Sequence, residues 1–129
     1  MKVLNFEDSV YKANAIRKVL NQCGVAKIEL VSNVEDGLQM LKNAEDTGDP
    51  FDLIITDMHY PMKQGAVSDT EAGEKLVQLL QEQGKQTKVI VCSSRNMKLP
   101  GGYGCIWYSE ISDWEEELCD LVREMEKNR

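Results

Sequence analysis

Long apolar runs are missing from this sequence. The most apolar stretches, Leu53-Ile54-Ile55 and Val89-Ile90-Val91-Cys92, fall far short of the roughly 20 residues that span a bilayer. No basic region leads an apolar signal core at the N-terminus, so a cytoplasmic location is expected. Positive charge is also scarce: 15 Lys and Arg stand against 22 Asp and Glu, a net charge of −7. That balance argues against binding a phosphate backbone as the main task. Histidine occurs once, as His59, and the four cysteines (Cys23, Cys92, Cys105 and Cys119) include no Cys-x-x-Cys pair. A zinc site therefore lacks its usual ligand spacing. Cys92 and Cys105 lie in apolar runs and read as small core residues, and a disulfide framework is not expected in a cytoplasmic chain. Internal repeats, low-complexity tracts and linkers are absent too, so the 129 residues are expected to form one domain, residues 1–129.

What is present is alternation. Val3 to Phe6 reads as a short strand followed by Glu7-Asp8. Ser9 can cap a helix through Cys23, with Val10, Ala13, Ile16, Leu20 and Cys23 on one face and Gly24 as its stop. Ile28 to Val31 is a second strand, and Ser32-Asn33-Val34-Glu35 a capping box before a helix that turns Val34, Leu38, Leu41 and Ala44 inward. After the turn residues Asp46 to Pro50 comes a third strand, Asp52-Leu53-Ile54-Ile55-Thr56, which stops at Asp57. Ser68-Asp69-Thr70-Glu71 opens a helix carrying Leu76, Val77 and Leu80 to Gly84. Lys88 to Ser93 and Cys105 to Tyr108 are strands four and five, and Ser112-Asp113-Trp114-Glu115 caps a last helix with Trp114, Leu118, Leu121, Val122 and Met125 inward. Strands alternating with helices predict an α/β fold, a doubly wound five-stranded parallel sheet covered on both faces.

In such sheets ligands gather at the carboxyl ends of the strands. Glu7 and Asp8 follow strand one, Asp57 follows strand three, and Ser93 ends strand four, so all four are predicted on one edge. Three converging carboxylates repel one another unless a hard cation neutralises them, and Mg²⁺ with oxygen ligands suits that task. One of them can then act as a nucleophile toward phosphorus, with Ser93 bonding the phosphoryl oxygens.

With these residues in order, the chain resembles the receiver domain of response regulators in two-component signalling. Val3-Leu4-Asn5-Phe6-Glu7-Asp8-Ser9 matches the acidic pair after strand one, and Val89-Ile90-Val91-Cys92-Ser93-Ser94 the strand ending on a hydroxyl. Asp57-Met58-His59-Tyr60-Pro61-Met62-Lys63-Gln64-Gly65 matches the acceptor Asp, Pro and Gly pattern. The resemblance covers essentially the whole chain. It implies the flavodoxin-like strand order 2-1-3-4-5 and a phosphoprotein that takes phosphate on Asp57 from a histidine kinase, a phosphotransfer protein or a small acyl phosphate. It implies Mg²⁺ held by Asp8, Asp57 and the backbone carbonyl of His59, with Glu7 acting through water and Ser93 contacting the phosphoryl group. His59 would then matter through its main chain, its ring facing solvent. Only self-phosphorylation and autodephosphorylation are expected, not enzymatic turnover of a separate substrate.

Two departures from the family pattern stand out. A lysine is expected at the end of strand five, where this chain has Tyr108 or Ser109. A phenol does not replace a cation, so Lys98, Arg95 or Lys63 are the candidates to swing in. The connection at about 95–103, which contains Pro100 and Gly101-Gly102, is too short and too rich in breakers for the family's fourth helix. A loop and a total of four helices are therefore predicted, with Tyr103, Trp107 and Tyr108 either covering the gap or forming a partner surface. Ala66 to Thr70 lengthens the loop after Gly65, as a surface insertion or a lid. No effector domain is expected after the last helix, so output is expected through protein contact or phosphorelay with an unidentified downstream protein. The alternative is a pseudo-receiver that binds a partner without phosphorylation. An aspartyl-phosphate hydrolase fits less well, because His59 stands two residues after Asp57 where such enzymes carry an aspartate.

Overall fold

The apolar runs become the inner strands of a parallel sheet in the computed structural model, which describes residues 1–128. The elements are β1 (Lys2–Phe6), α1 (Val10–Gln22), β2 (Lys27–Val31), α2 (Val34–Asp46), β3 (Leu53–Thr56), β4 (Tyr60–Pro61), β5 (Ser68–Asp69), α3 (Ala72–Glu82), β6 (Lys88–Ser93), β7 (Gly104–Trp107) and α4 (Trp114–Lys127). Five strands form one parallel sheet in the order β2-β1-β3-β6-β7, which is the expected 2-1-3-4-5 order once the small β4–β5 pair is set aside.

Alternation along the strands divides the core into two layers. Leu4, Phe6, Ile54, Val89 and Val91 pack beneath α2 and α3, joined by Val34, Leu41, Leu76 and Leu80. Val3, Leu53, Ile55, Ile90 and Cys92 face the other way, against Ile16, Leu20, Trp114, Leu118 and Val122 of α1 and α4. Two glycines permit close approach: the Phe6 ring lies where a Cβ on Gly37 would be, and the Asp57 carbonyl lies where one on Gly73 would be.

Residues 94–103 contain no helix. Leu99 is buried in the α2/α3 layer and Met97 packs partly against it, so two side chains fill some of the space a helix would cover. Gly101 turns the chain at a φ of 89°, and Tyr103 N–H donates to the Val89 carbonyl at 2.7 Å to begin β7. Of the three aromatics expected here, Tyr108 packs against Trp114 at 4.9 Å between ring centres, while Trp107 Nε1 donates to the Ser94 carbonyl. All three aromatics are half-buried.

Several local expectations need correction. The second helix is capped by Asn33 rather than Ser32: Asn33 Oδ1 accepts from Asp36 N–H at 2.8 Å. Ser68-Asp69 does not open a helix but pairs antiparallel with Tyr60-Pro61, so the long loop folds back as a two-stranded flap. Ser112 does not cap α4, because its hydroxyl donates to the Trp107 carbonyl at 2.6 Å. Val10 is 66% exposed, not part of the inner face of α1. The cysteine expectation fails as well: Cys23 at the end of α1 and Cys119 on α4 form a disulfide, with Cα atoms 5.7 Å apart. The two residues lie 96 positions apart, and only the packing of α1 beside α4 brings them together. Cys92 and Cys105 remain free thiols, buried and half-buried respectively.

Candidate functional site

The sheet edge collects the acids because each follows a strand pinned by its neighbour. Glu7 N–H donates to the Val31 carbonyl at 2.9 Å, and Asp57 N–H donates to the Phe6 carbonyl at 3.1 Å. These bonds carry the ladder one residue past β1 and β3, so both side chains leave the sheet at the same level. Glu7, Asp8 and Asp57 each bring an oxygen within 4.8 Å of the others. Glu7 is buried, Asp8 exposed and Asp57 half-buried.

Asp57 Oδ1 accepts from Met58 N–H at 2.7 Å, whereas Oδ2 has no hydrogen bond among the described residues. Beneath it, the Thr56 hydroxyl donates to the Asp57 carbonyl at 2.7 Å, leaving the Tyr60 hydroxyl to donate to Thr56 Oγ1, also at 2.7 Å. Burial holds the Tyr60 phenol well above its usual range. A cleft of about 330 Å³ opens over the edge, lined by Asp8, Asp57, His59, Ser68, Ser93 and Arg95 among others. Ser93 ends β6 at its wall, buried, with Oγ accepting from Arg95 N–H at 3.1 Å. His59 sits at the rim with its ring exposed, and Ser68 brings the β4–β5 flap to the same cleft. A larger groove of about 660 Å³ lies between α2 and α3, lined by Leu38, Leu41 and Leu80, and holds none of these groups.

Comparison with solved structures then places this architecture. The receiver domain of the Francisella response regulator 1452 matches at 18% identity and a TM-score of 0.73, over 99% of this chain and 98% of that one. The chemotaxis response regulator CheY4 of Vibrio cholerae matches at 20% identity and a TM-score of 0.65, over 96% and 97%. A response regulator in red light signaling of R. palustris matches at 19% identity and a TM-score of 0.69, over 95% and 91%. This is the receiver-domain fold. No protein-family model and no curated protein sequence matches the chain.

Against the receiver fold, the sequence-predicted residues Glu7, Asp8, Asp57, His59 and Ser93 all reach one edge of the sheet. None of the predicted replacement cations pairs with these acids, although Arg95 lines the cleft. Arg95 Nη2 donates to the Thr70 carbonyl at 3.1 Å, and the exposed Lys63 and Lys98 form no ion pair with these acids. The cation at the site is Lys12, from the first turn of α1. Its ammonium lies 2.9 Å from Glu7 Oε1 and 3.2 Å from Asp57 Oδ1, and donates to the Cys92 carbonyl at 2.5 Å. The side chain is only 8% exposed, and Nζ stands 5.3 Å from the centre of the Tyr108 ring. Ser93 and Trp107 are register partners, and Tyr108 N–H donates to the Ser93 carbonyl. Tyr108 thus occupies the end of strand five while Lys12 reaches the same place from a helix.

Burial is the largest influence on Glu7 and raises its carboxyl above the usual range, although Lys12 pulls the other way. Burial is also the largest influence on Lys12 and opposes its charge, but Glu7 and Asp57 together outweigh it and hold the ammonium above its usual value. The Cys92 thiol, one residue before Ser93, is pushed up to about 12 by burial. Lys12 did leave a trace in the sequence. Counted back by helical turns, Lys12 stands in line with Ile16, Val19, Leu20 and Cys23, at the head of the buried stripe.

Proposed function

We propose that this chain is a response-regulator receiver, residues 1–129, whose Asp57 accepts a phosphoryl group from a histidine kinase, a phosphotransfer protein or a small acyl phosphate. The observation that carries the reading is the convergence of Glu7, Asp8 and Asp57 within 4.8 Å beside Ser93 on the edge of a receiver fold. In the transfer, a carboxylate oxygen of Asp57 forms the new bond to phosphorus. The bond from phosphorus to the donor breaks, and the leaving group departs with the electron pair. Asp57 Oδ2 is the oxygen suited to this, because Oδ1 is held by Met58 N–H and Lys12. Ser93 would contact the phosphoryl oxygens.

The donor set fits a hard divalent cation. Its ligand atoms are carboxylate oxygens, and one ammonium against three carboxylates leaves two negative charges. Asp8, Asp57 and the His59 backbone carbonyl would hold Mg²⁺ directly, and Glu7 through water. Bound there, Mg²⁺ supplies charge neutralisation between the phosphoryl oxygens and the acids. Output would pass through protein contact or phosphorelay. No helix of the described residues is long and apolar enough to cross a membrane. A second reading, the phosphorylation-independent pseudo-receiver, is favoured by Tyr108 at the end of strand five.

Incubation with Mg²⁺ and acetyl phosphate, followed by intact mass, separates the two. The receiver reading expects one added phosphoryl group in wild type and none in Asp57→Asn or when the metal is chelated. An unmodified wild-type protein at saturating phosphodonor would reject it in favour of the pseudo-receiver.

A further inference from the structure

We infer that Lys12 is the phosphoryl-binding cation of this protein, delivered by α1 instead of strand five; the inference rests on the receiver reading of Asp57. The ammonium has three close partners: it pairs with Glu7 Oε1 at 2.9 Å and Asp57 Oδ1 at 3.2 Å, and donates a hydrogen bond to the Cys92 carbonyl at 2.5 Å. A lysine serving only to neutralise buried Glu7 would need the first of these. Lys12 also touches the acceptor carboxylate and the strand end that leads into Ser93, so it joins all three strands that build the cleft.

The local sequence enforces this position. Ser9 caps α1 by accepting from Lys12 N–H, at 3.4 Å, and Glu7 Oε2 accepts from Ser9 N–H at 3.1 Å. The turn that carries the acidic pair therefore also fixes the start of the helix, and Lys12 projects one turn along it over the edge. Tyr108 forms the far wall beside the ammonium. No other lysine or arginine among the described residues pairs with Asp57.

Transfer from an acyl phosphate places a dianionic group on Asp57 and removes the carboxylate charge that Lys12 now pairs with. The ammonium keeps its three protons and exchanges Asp57 Oδ1 for a phosphoryl oxygen, a charge-assisted contact made shorter and stronger by the partly buried site. The Cys92 carbonyl shares that ammonium, so the exchange is felt at the end of β6. Arrival of phosphate is thereby coupled to Ser93 and to the first turn of α1 together.

The test uses the full chain with Mg²⁺ and beryllofluoride, an acyl-phosphate mimic, read by fluorine NMR and by tryptophan fluorescence. Wild type is expected to bind. Lys12→Met should bind at least roughly tenfold more weakly, the loss of one charge-assisted hydrogen bond. Adding Tyr108→Lys to that variant should recover most of the loss, because the new ammonium would enter from the opposite wall. Because Lys12→Met strands a buried carboxylate, wild type carries its own measurement: the slowly exchanging Lys12 ammonium resonance, assigned by its loss in a Lys12→Arg protein, should shift when beryllofluoride binds. An unshifted resonance, a Lys12→Met protein that binds as tightly as wild type, or a folded double variant as weak as the single one would each overturn the assignment. Failure of wild type to bind beryllofluoride at all, together with an unmodified Asp57, would instead remove the receiver reading on which the inference stands.

Discussion

Thr56 shows how one hydroxyl steadies the turn at Asp57. It donates to the Asp57 carbonyl and accepts from buried Tyr60, so Thr56→Val would strand a buried phenol hydroxyl and a part-buried carbonyl. The expected cost is about 1–3 kcal/mol in urea unfolding for each stranded group at most. Tyr60→Phe introduced alongside should recover part of it, since the apolar pair then leaves only the carbonyl unserved. Equal stability of Thr56→Val and wild type would show that water takes over both bonds. At the same scale, Lys12 explains why Glu7 tolerates burial at 1% side-chain exposure: the cation is brought to it rather than the acid being left to solvent.

At the scale of elements, α3 is set directly against the turn that follows Asp57. Gly73 N–H donates to the Met58 carbonyl at 3.2 Å, and a Cβ at this position would run into the Asp57 carbonyl oxygen and Met58. Gly73→Ala should therefore push α3 off the turn at Asp57, lowering the melting temperature and, on the receiver reading, weakening beryllofluoride binding together. A variant with wild-type melting and binding would mean that the turn yields freely. The elements also show what the residue order could and could not tell. Strand alternation and the acids at strand ends were legible because both are short-range patterns, and Pro100 with Gly101-Gly102 marked the missing helix in the same way. Helix capping was misread at Ser68-Asp69, where pairing with Tyr60-Pro61 outweighs the local preference. The role of Lys12 was not legible because amphipathic counting assigns lysines to the wet face. The same counting puts Val10 inward, yet α1 is rotated so that Lys12 heads the buried stripe and Val10 faces out. Of its partners Glu7 is close in sequence, but Asp57 and the Cys92 carbonyl lie on other strands, beyond the reach of any local window.

For the whole molecule, the decisive covalent feature is the bond between Cys23 and Cys119. Closing a loop of this length restricts the unfolded chain, worth about 4.7 kcal/mol in the chain-entropy account. Reduction should lower the urea midpoint accordingly without changing which residues form the sheet, as monitored by circular dichroism. An unchanged midpoint after complete reduction would mean that packing of α1 on α4 already supplies that restriction. The same bond changes how the chain is connected. Residues 23–119 form a closed ring, with β1 and all of α1 emerging as one tail and the end of α4 as the other. Asp57, Ser93 and the 94–103 loop belong to the ring, whereas Glu7, Asp8 and Lys12 belong to the tail. Asp57 and the Lys12 ammonium facing it are thus carried by two different parts of one lasso, and a peptide bond cut in that loop would open the ring yet leave every fragment in a single covalent molecule.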